Sequence, residues 1–445
     1  MGDIPDLAIA EARGFSAPPM RERSLLSSLT TSLVSNISFK IKLAADGSSE
    51  GMVISGNGSL DGEAFDAEGF AEEKVREIRD FVGDGGKAAI ATSGGVDSTA
   101  CAALAHRALG DRLICFFVDT GFMRDGEGEE VEAMLKGLGL PLRVIRARER
   151  FLRELEGKAD AEEKRLAFRQ TFYTVLGEAA KEEGCDVLVQ GTIAPDWIET
   201  AGGIKTQHNV LEQLGMDTRR SFGFRLLEPL MDLYKDQVRA LARHLGADVA
   251  AAERQPFPGP GLLVRCIGAV SAEKVGVLRR ATAVVEEELS RAIPEPKQYL
   301  AAVIEDLRSP APEAVQEAVK GYGAAVEYLD GRATGVKGDN RAYGRLAVVK
   351  CEGEPEGLFE LPERIIHADG EVVRALLNVG EPAGRKRGYA AIIRAVDTRD
   401  FMTAKPSAIP LAALKRAADR ILRDERVSIV CYDLTSKPPA TVEFE

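Results

Sequence analysis

Apolar positions fall on a helical stripe at Phe70, Val75, Ile78, Phe81 and Val82, and the stripe stops at Gly83 and Gly85-Gly86, since glycine readily leaves the helical conformation. Beyond it the period changes. Lys87 to Ala91 reads as a strand, Thr99 to Ala108 as a helix, Leu113 to Val118 as a strand, Glu127 to Leu138 as a helix and Leu142 to Ile145 as a strand. Short apolar runs alternating with amphipathic stretches predict an α/β fold with a doubly wound parallel sheet, whose ligands bind beyond the carboxyl ends of the strands. Helical periodicity returns at Tyr234, Val238, Leu241 and Leu245 and closes at Gly246. The segment RQPFPGPGLLVR, residues 254–265, follows. Its prolines fix φ and its glycines permit positive φ, so it is expected to be a stiff, non-helical connector. A domain boundary and a rigid strap beside a site explain it equally well.

The 445 residues exceed the roughly 250–300 at which one core stops growing, so two domains are expected. Asp46 to Gly62 is rich in Gly and Ser and reads as a linker. Residues 1–64 are then an N-terminal extension without order of its own, 65–255 a first domain and 256–445 a second. Arg21 and Arg23 precede a stretch without acids from Ser24 to Ala45, a pattern shared with targeting peptides. A dispensable extension is the preferred reading.

A net charge of −12 argues against general nucleic-acid binding, which draws on a basic surplus. Any anionic ligand must therefore be held by local devices. Cys101, Cys115, Cys185, Cys266, Cys351 and Cys431 are widely spaced and read as reduced, mostly buried thiols of a cytoplasmic protein rather than as a zinc site. No run approaches the ~18 apolar residues of a membrane span.

At the strand-to-helix junction stands TSGGVDST, residues 92–99. Gly94 and Gly95 let the backbone turn tightly and approach a ligand, and the following helix offers unpaired N–H groups at its positive end. That is a phosphate cradle. Ser93, Ser98 and Thr99 can donate further hydrogen bonds. Asp97 repels phosphate unless a magnesium ion lies between them. No lysine stands in Walker spacing, and a bare SGG could equally be a glycine turn with a serine cap.

A second glycine turn, VLVQGTIAPDWIET (187–200), again follows an apolar run. If it is helical, Asp196 and Glu199 share a face and can hold magnesium or a lysine; a solvated acidic face has the same spacing. GGIKTQHN (202–209) places Lys205 and His208 in a segment without periodicity. His106 and His244 fall in helix-like stretches and read as satisfied surface residues.

SGGVDS resembles the pyrophosphate loop of the N-type ATP pyrophosphatases. Together with FVDTGFMR (117–124), QGTIAPDWIET, GGIKTQHN, ERQPFPGPGLLVR and the terminal SKPPATVEFE, it resembles, in the same order, the synthetase part of the GMP synthases. The archaeal type, with separate synthetase and glutaminase subunits, is the nearest in pattern over about residues 66–445. The resemblance implies that ATP adenylates the 2-carbonyl oxygen of xanthosine monophosphate (XMP), pyrophosphate leaves, and ammonia displaces AMP to give GMP.

It further implies that Ser93, Gly94, Gly95, Val96, Asp97, Ser98 and Thr99 cradle the phosphates of ATP, beside Asp119 and Gly191, with Asp97 the magnesium ligand. Asp196, Glu199, Lys205 and His208 match an adenylation lid; Arg265, Lys437, Thr441 and Glu443 match the nucleotide substrate site. Without the resemblance, KPPATVEFE would read as an edge strand behind a proline kink. The second half, 256–445, is expected to be a smaller α/β module that forms a homodimer.

Within it GVKGDNRAYG (335–344) reads as a glycine turn between strands, and Arg385, Lys386 and Arg387 as a solvated basic face or a phosphate contact. Glu352 to Glu381 reads as additional structure without an assigned role. A fused glutaminase would need a nucleophilic cysteine, and the first 100 residues contain none. Ammonia is therefore expected free or from a separate glutaminase subunit, with no nucleic-acid or membrane partner. NAD synthetase and argininosuccinate synthetase share the ATP loop but not KPPATVEFE, tRNA-thiolating relatives would use catalytic cysteines, and a nucleotide-sensing dimer would not need the whole reacting set.

Overall fold

The first apolar stripe folds as α1 (Ala67–Val82), whose N-terminus is capped by the Asp66 carboxylate accepting from the Gly69 N–H at 2.9 Å. The computed structural model describes residues 65–196, 223–247, 255, 257–337, 340–351, 353, 357–398 and 403–445. After α1 come β1 (Ala88–Ala91), α2 (Val96–Leu109), β2 (Leu113–Asp119), α3 (Glu127–Gly137) and β3 (Leu142–Arg146), each where the alternation predicts it. Then follow α4 (Arg148–Leu155), α5 (Ala161–Glu182), β4 (Val187–Val189), β5 (Arg225–Leu227) and α6 (Lys235–His244).

The five strands form a parallel sheet in the order β3-β2-β1-β4-β5. β2 is buried along its whole length, as expected of a parallel strand covered on both faces. The strand order reverses direction between β1 and β4, which opens a crevice at their carboxyl ends. TSGGVDST leaves β1 there, and Gln190-Gly191 leaves β4 beside it.

The connector 254–265 departs from expectation. Gly261–Arg265 closes a short 3-10 helix, because the N–H of Leu263 can still reach the Pro260 carbonyl at 3.3 Å and that of Cys266 the Leu263 carbonyl at 3.2 Å. The prolines stand before this turn and do not interrupt its donors. The chain continues through α7 (Ala272–Leu289), β6 (Gln298–Glu305), β7 (Arg308–Pro310), α8 (Glu313–Val319), β8 (Ala324–Lys337) and β9 (Asn340–Cys351). It ends with α9 (Leu361–Ala368), β10 (Val372–Gly380), β11 (Tyr389–Asp397), β12 (Lys405–Pro406), α10 (Leu411–Ile421) and β13 (Val427–Asp433).

These strands form an eight-stranded mixed sheet, β12-β11-β13-β10-β9-β8-β7, with β6 paired to β11. β8 and β9 make the hairpin expected at 335–344. The unassigned block 352–381 is no appendage: β10 lies between β13 and β9 and is buried over most of its length. KPPATVEFE forms no edge strand. Isolated pairings join it to the sheet, Gly335 with Ala440 and Ala404 with Lys437, and the Thr334 N–H donates to the Phe444 carbonyl at 2.7 Å; consecutive prolines remove the donors a continuous ladder needs.

Asp66–Glu445 is one compact unit. A single apolar cluster unites Phe122, Phe151 and Phe168 with Leu262, Leu278, Tyr299, Ile393 and Ile421. Within it the rings of Phe151 and Phe168 lie 4.9 Å apart.

Candidate functional site

The loop after β1 is held by its own backbone and hydroxyls. The Thr92 N–H donates to the Phe116 carbonyl at 2.8 Å, extending the β1–β2 ladder to the loop's first residue. The Ser98 hydroxyl donates to the Gly95 carbonyl at 3.1 Å and accepts from the Ser93 N–H at 3.3 Å. Gly94 sits at φ 78, where a Cβ would stand 2.7 Å from Val131 Cγ2 on α3; a side chain is excluded by conformation and by space. Gly191 approaches from β4 so closely that its Cβ would lie 3.0 Å from the Asp97 carbonyl oxygen. Two strand ends therefore enclose the N-terminus of α2, and its free N–H groups face the crevice.

Asp97 forms an ion pair with Lys235, the first residue of α6. Its other oxygen, Oδ1, is buried with no hydrogen-bond partner. Spacing could not reveal Lys235: 138 residues separate the pair, and only the strand order β1-β4-β5, with α6 following β5, unites them. Glu228 was missed for the same reason. It stands just beyond β5, where its carboxylate accepts from the Thr192 hydroxyl and, at 3.4 Å, from the Gln190 amide.

Asp119 ends β2, where its carboxylate accepts from Arg148 at 2.6 Å and from the Gly121 N–H at 3.1 Å. Asp196 accepts from the Ile193 N–H at 3.2 Å. Glu199, Lys205 and His208 lie outside the described residues. Among the described residues no group of three or more His, Cys, Asp or Glu could hold a metal ion, which leaves Asp97 as the single carboxylate offered by the loop. Burial pushes every cysteine thiol upward, that of Cys115 to about 12 and those of Cys185 and Cys266 to about 11. None is a thiolate nucleophile at neutral pH.

The second group of expected residues converges on the C-terminal tail. Arg265 is buried and grips Glu443 with two bonds of 2.9 Å. Glu445 forms an ion pair with Lys164 of α5 and accepts from the Gly268 N–H at 3.0 Å; burial pushes its carboxyl up against that attraction. Thr441 accepts from Arg374 at 3.0 Å, and Arg374 also donates to the Glu443 carbonyl at 2.6 Å and lies 3.9 Å from the Phe444 ring. The Lys437 backbone pairs with Ala404 at 2.8 and 3.1 Å.

Beneath the tail, Asp433 accepts from Arg374 at 2.7 Å and Arg394 at 2.6 Å, all three fully buried. Burial pushes the Asp433 carboxyl up, but the two guanidinium groups outweigh it and hold the carboxyl below its ordinary range. Burial also lowers Arg374 to about 10 against the pull of Asp433, so it stays charged at neutral pH.

A serine- and glycine-lined cradle at the switch point of a parallel sheet, with neither Walker lysine nor nucleophilic thiol, defines an ATP-using PP-loop protein. The PP-loop domain family matches residues 70–251, and the GMP synthase C terminal domain family matches residues 372–444. The chain belongs to the GMP synthase family, in its two-subunit form, as the synthetase subunit. It is 46% identical over 382 residues to the corresponding subunit of the glutamine-hydrolysing GMP synthase of Sulfurisphaera tokodaii, covering 86% of this chain and 100% of that one.

The same subunits from Saccharolobus solfataricus and Thermococcus kodakarensis are 43% and 42% identical, covering 86% and 85% of this chain and 100% and 99% of theirs. A solved structure, NMN synthetase from Francisella tularensis, matches at 18% identity and a TM-score of 0.36 over 44% of this chain and 78% of that one.

Proposed function

We propose that the chain synthesises GMP from XMP, ATP and ammonia. The 2-carbonyl oxygen of XMP attacks the α-phosphorus of ATP and pyrophosphate leaves; ammonia then attacks carbon 2, loses a proton and displaces AMP. The observation that carries this reading is the loop Ser93–Thr99 at the β1–β4 switch point, a cradle suited to the departing pyrophosphate. Ser93 and Thr99 donate to the phosphates, joined by Ser98 once its hydroxyl turns from the Gly95 carbonyl, and the α2 N-terminus offsets their charge. Asp119 and Gly191 bound the nucleotide.

Magnesium fits this loop, because Asp97 Oδ1 is a buried carboxylate oxygen without a partner. Asp97 would hold the ion, which when bound offsets phosphate charge. We assign Asp196, with Glu199, Lys205 and His208, to the lid that adenylates XMP. In the substrate site Lys437 neutralises the XMP phosphate, and Glu443, oriented by Arg265, accepts from the purine N–H edge with its remaining lone pairs. Thr441 lines the same site, fixed by Arg374.

The relatives are each named as one subunit of a glutamine-hydrolysing enzyme, which supports a separate glutaminase subunit as the source of ammonia. The raised thiols agree, since this chain offers no thiolate to attack glutamine. We further assign the C-terminal half to homodimer formation and the enzyme to the cytoplasm, where free thiols persist.

A steady-state assay with ATP, magnesium, XMP and ammonium tests the proposal. GMP and pyrophosphate are expected in equal amounts with ammonium, and no GMP with glutamine alone. Pyrophosphate release without GMP would move the acceptor elsewhere, and absence of turnover would overturn the catalytic reading.

A further inference from the structure

The basic run Arg385, Lys386 and Arg387 divides in the folded chain. Arg385 is spent on the fold, donating to the carbonyls of Leu422 and Val427 at 2.7 and 2.9 Å. Arg387 turns instead to a cavity of about 470 Å³ beside β7, β8 and β9, lined also by Arg308, Tyr328, Asp330, Arg332 and Arg345. No lining residue belongs to the phosphate loop or to the C-terminal tail.

These arginines differ in how far their charge is met. Arg308 is saturated, with Asp306 at 2.6 Å, Glu381 at 2.7 Å and Glu327 at 3.2 Å. Arg332 and Arg345 share one carboxylate, Glu371, at 3.6 Å each, beyond hydrogen-bond distance. Arg387 donates to the Arg308 carbonyl at 3.2 Å and has no carboxylate partner among the described residues. Three cations thus face one cavity with Glu371 and the lining Asp330 against them, in a chain whose net charge is −12. The guanidinium groups of Arg280, Arg374, Arg394 and Arg420 each meet a carboxylate within hydrogen-bond distance, whereas, among the described residues, those of Arg332, Arg345 and Arg387 do not.

The shape agrees with the charge. Guanidinium forks match phosphate oxygens in pairs, and Arg345 lies 5.6 Å from the centre of the buried Tyr328 ring, which supports that guanidinium from beneath. The volume falls within the range of roughly 300–1,000 Å³ typical of small-molecule sites. We propose that this cavity binds a phosphorylated small molecule of nucleotide size, its phosphate on Arg332, Arg345 and Arg387. It is a second anion site, remote in the fold from the chemistry of the phosphate loop.

The experiment is equilibrium dialysis of radiolabelled GTP against the full chain, with the phosphate loop saturated by α,β-methylene-ATP. The wild type is expected to bind one additional equivalent, displaced by excess inorganic phosphate. The Arg345→Ala/Arg387→Ala double variant is expected to bind it at least tenfold more weakly, with unchanged ammonia-dependent kcat, melting temperature and gel-filtration volume. Three results would overturn the site. They are no additional equivalent in the wild type, equal binding by the double variant, and a shift of the variant to a smaller species, which would make the cavity a contact between two copies.

Discussion

Asp433 balances two guanidinium groups with one carboxylate, out of reach of water. Removing such a partner leaves uncompensated buried charge, so Asp433→Asn is expected to destabilise the chain by about 3–5 kcal/mol, measured by denaturant titration. Because Arg374 also holds Thr441 and Glu443, the variant's KM for XMP is expected to rise more than its KM for ATP. The sign with pH follows from the lowered carboxyl. The stabilisation is complete above the unfolded carboxyl value of about 3.9 and is lost as pH falls through the lower folded value. Urea midpoints of the wild type should fall across that acid window, and those of Asp433→Asn should lack this component. None of the three residues was legible as a site, since each is a lone charge in an apolar run and only sheet register makes neighbours of β10, β11 and β13.

The strand-loop-helix element at 88–109 carries the phosphate chemistry in its backbone, so its weak point is a glycine. Gly94→Ala must adopt a left-handed conformation and meet Val131, displacing the loop. Turnover is expected to fall roughly 10²-fold, the scale of an ångström-size misplacement, while the melting temperature drops only modestly. Equal losses in both would mean that the glycine serves the fold alone. This element was legible in the sequence because its signals are local: an apolar run, two glycines and a helix start, all close together. The turn at 261–265 and the path of KPPATVEFE were not. Both are shaped by what they touch, Phe122 and α7 in one case and Arg265, Lys164 and Arg374 in the other. The partnership of Asp97 with Lys235 was equally invisible, being a product of strand order.

At the scale of the whole molecule, one apolar cluster draws on both halves of the sequence, and residues of α5 and of the 261–268 segment clasp the tail. Heating is therefore expected to unfold Asp66–Glu445 in one cooperative transition, and a fragment ending at residue 255 is expected to be insoluble or molten because it exposes the Phe122, Phe151 and Phe168 face. Two calorimetric peaks would show that the halves are independent. ATP must approach a chain of the same sign, net −12, and long-range repulsion of this kind is screened by salt. The pairing of Lys235 with Asp97 acts at the other end of that approach. The resting loop already carries its own counter-ion, so nucleotide arrival exchanges one cation for another rather than neutralising a bare carboxylate. Association should then quicken as ionic strength rises, and Lys235→Met should leave a loop that meets its substrate with charge of the wrong sign.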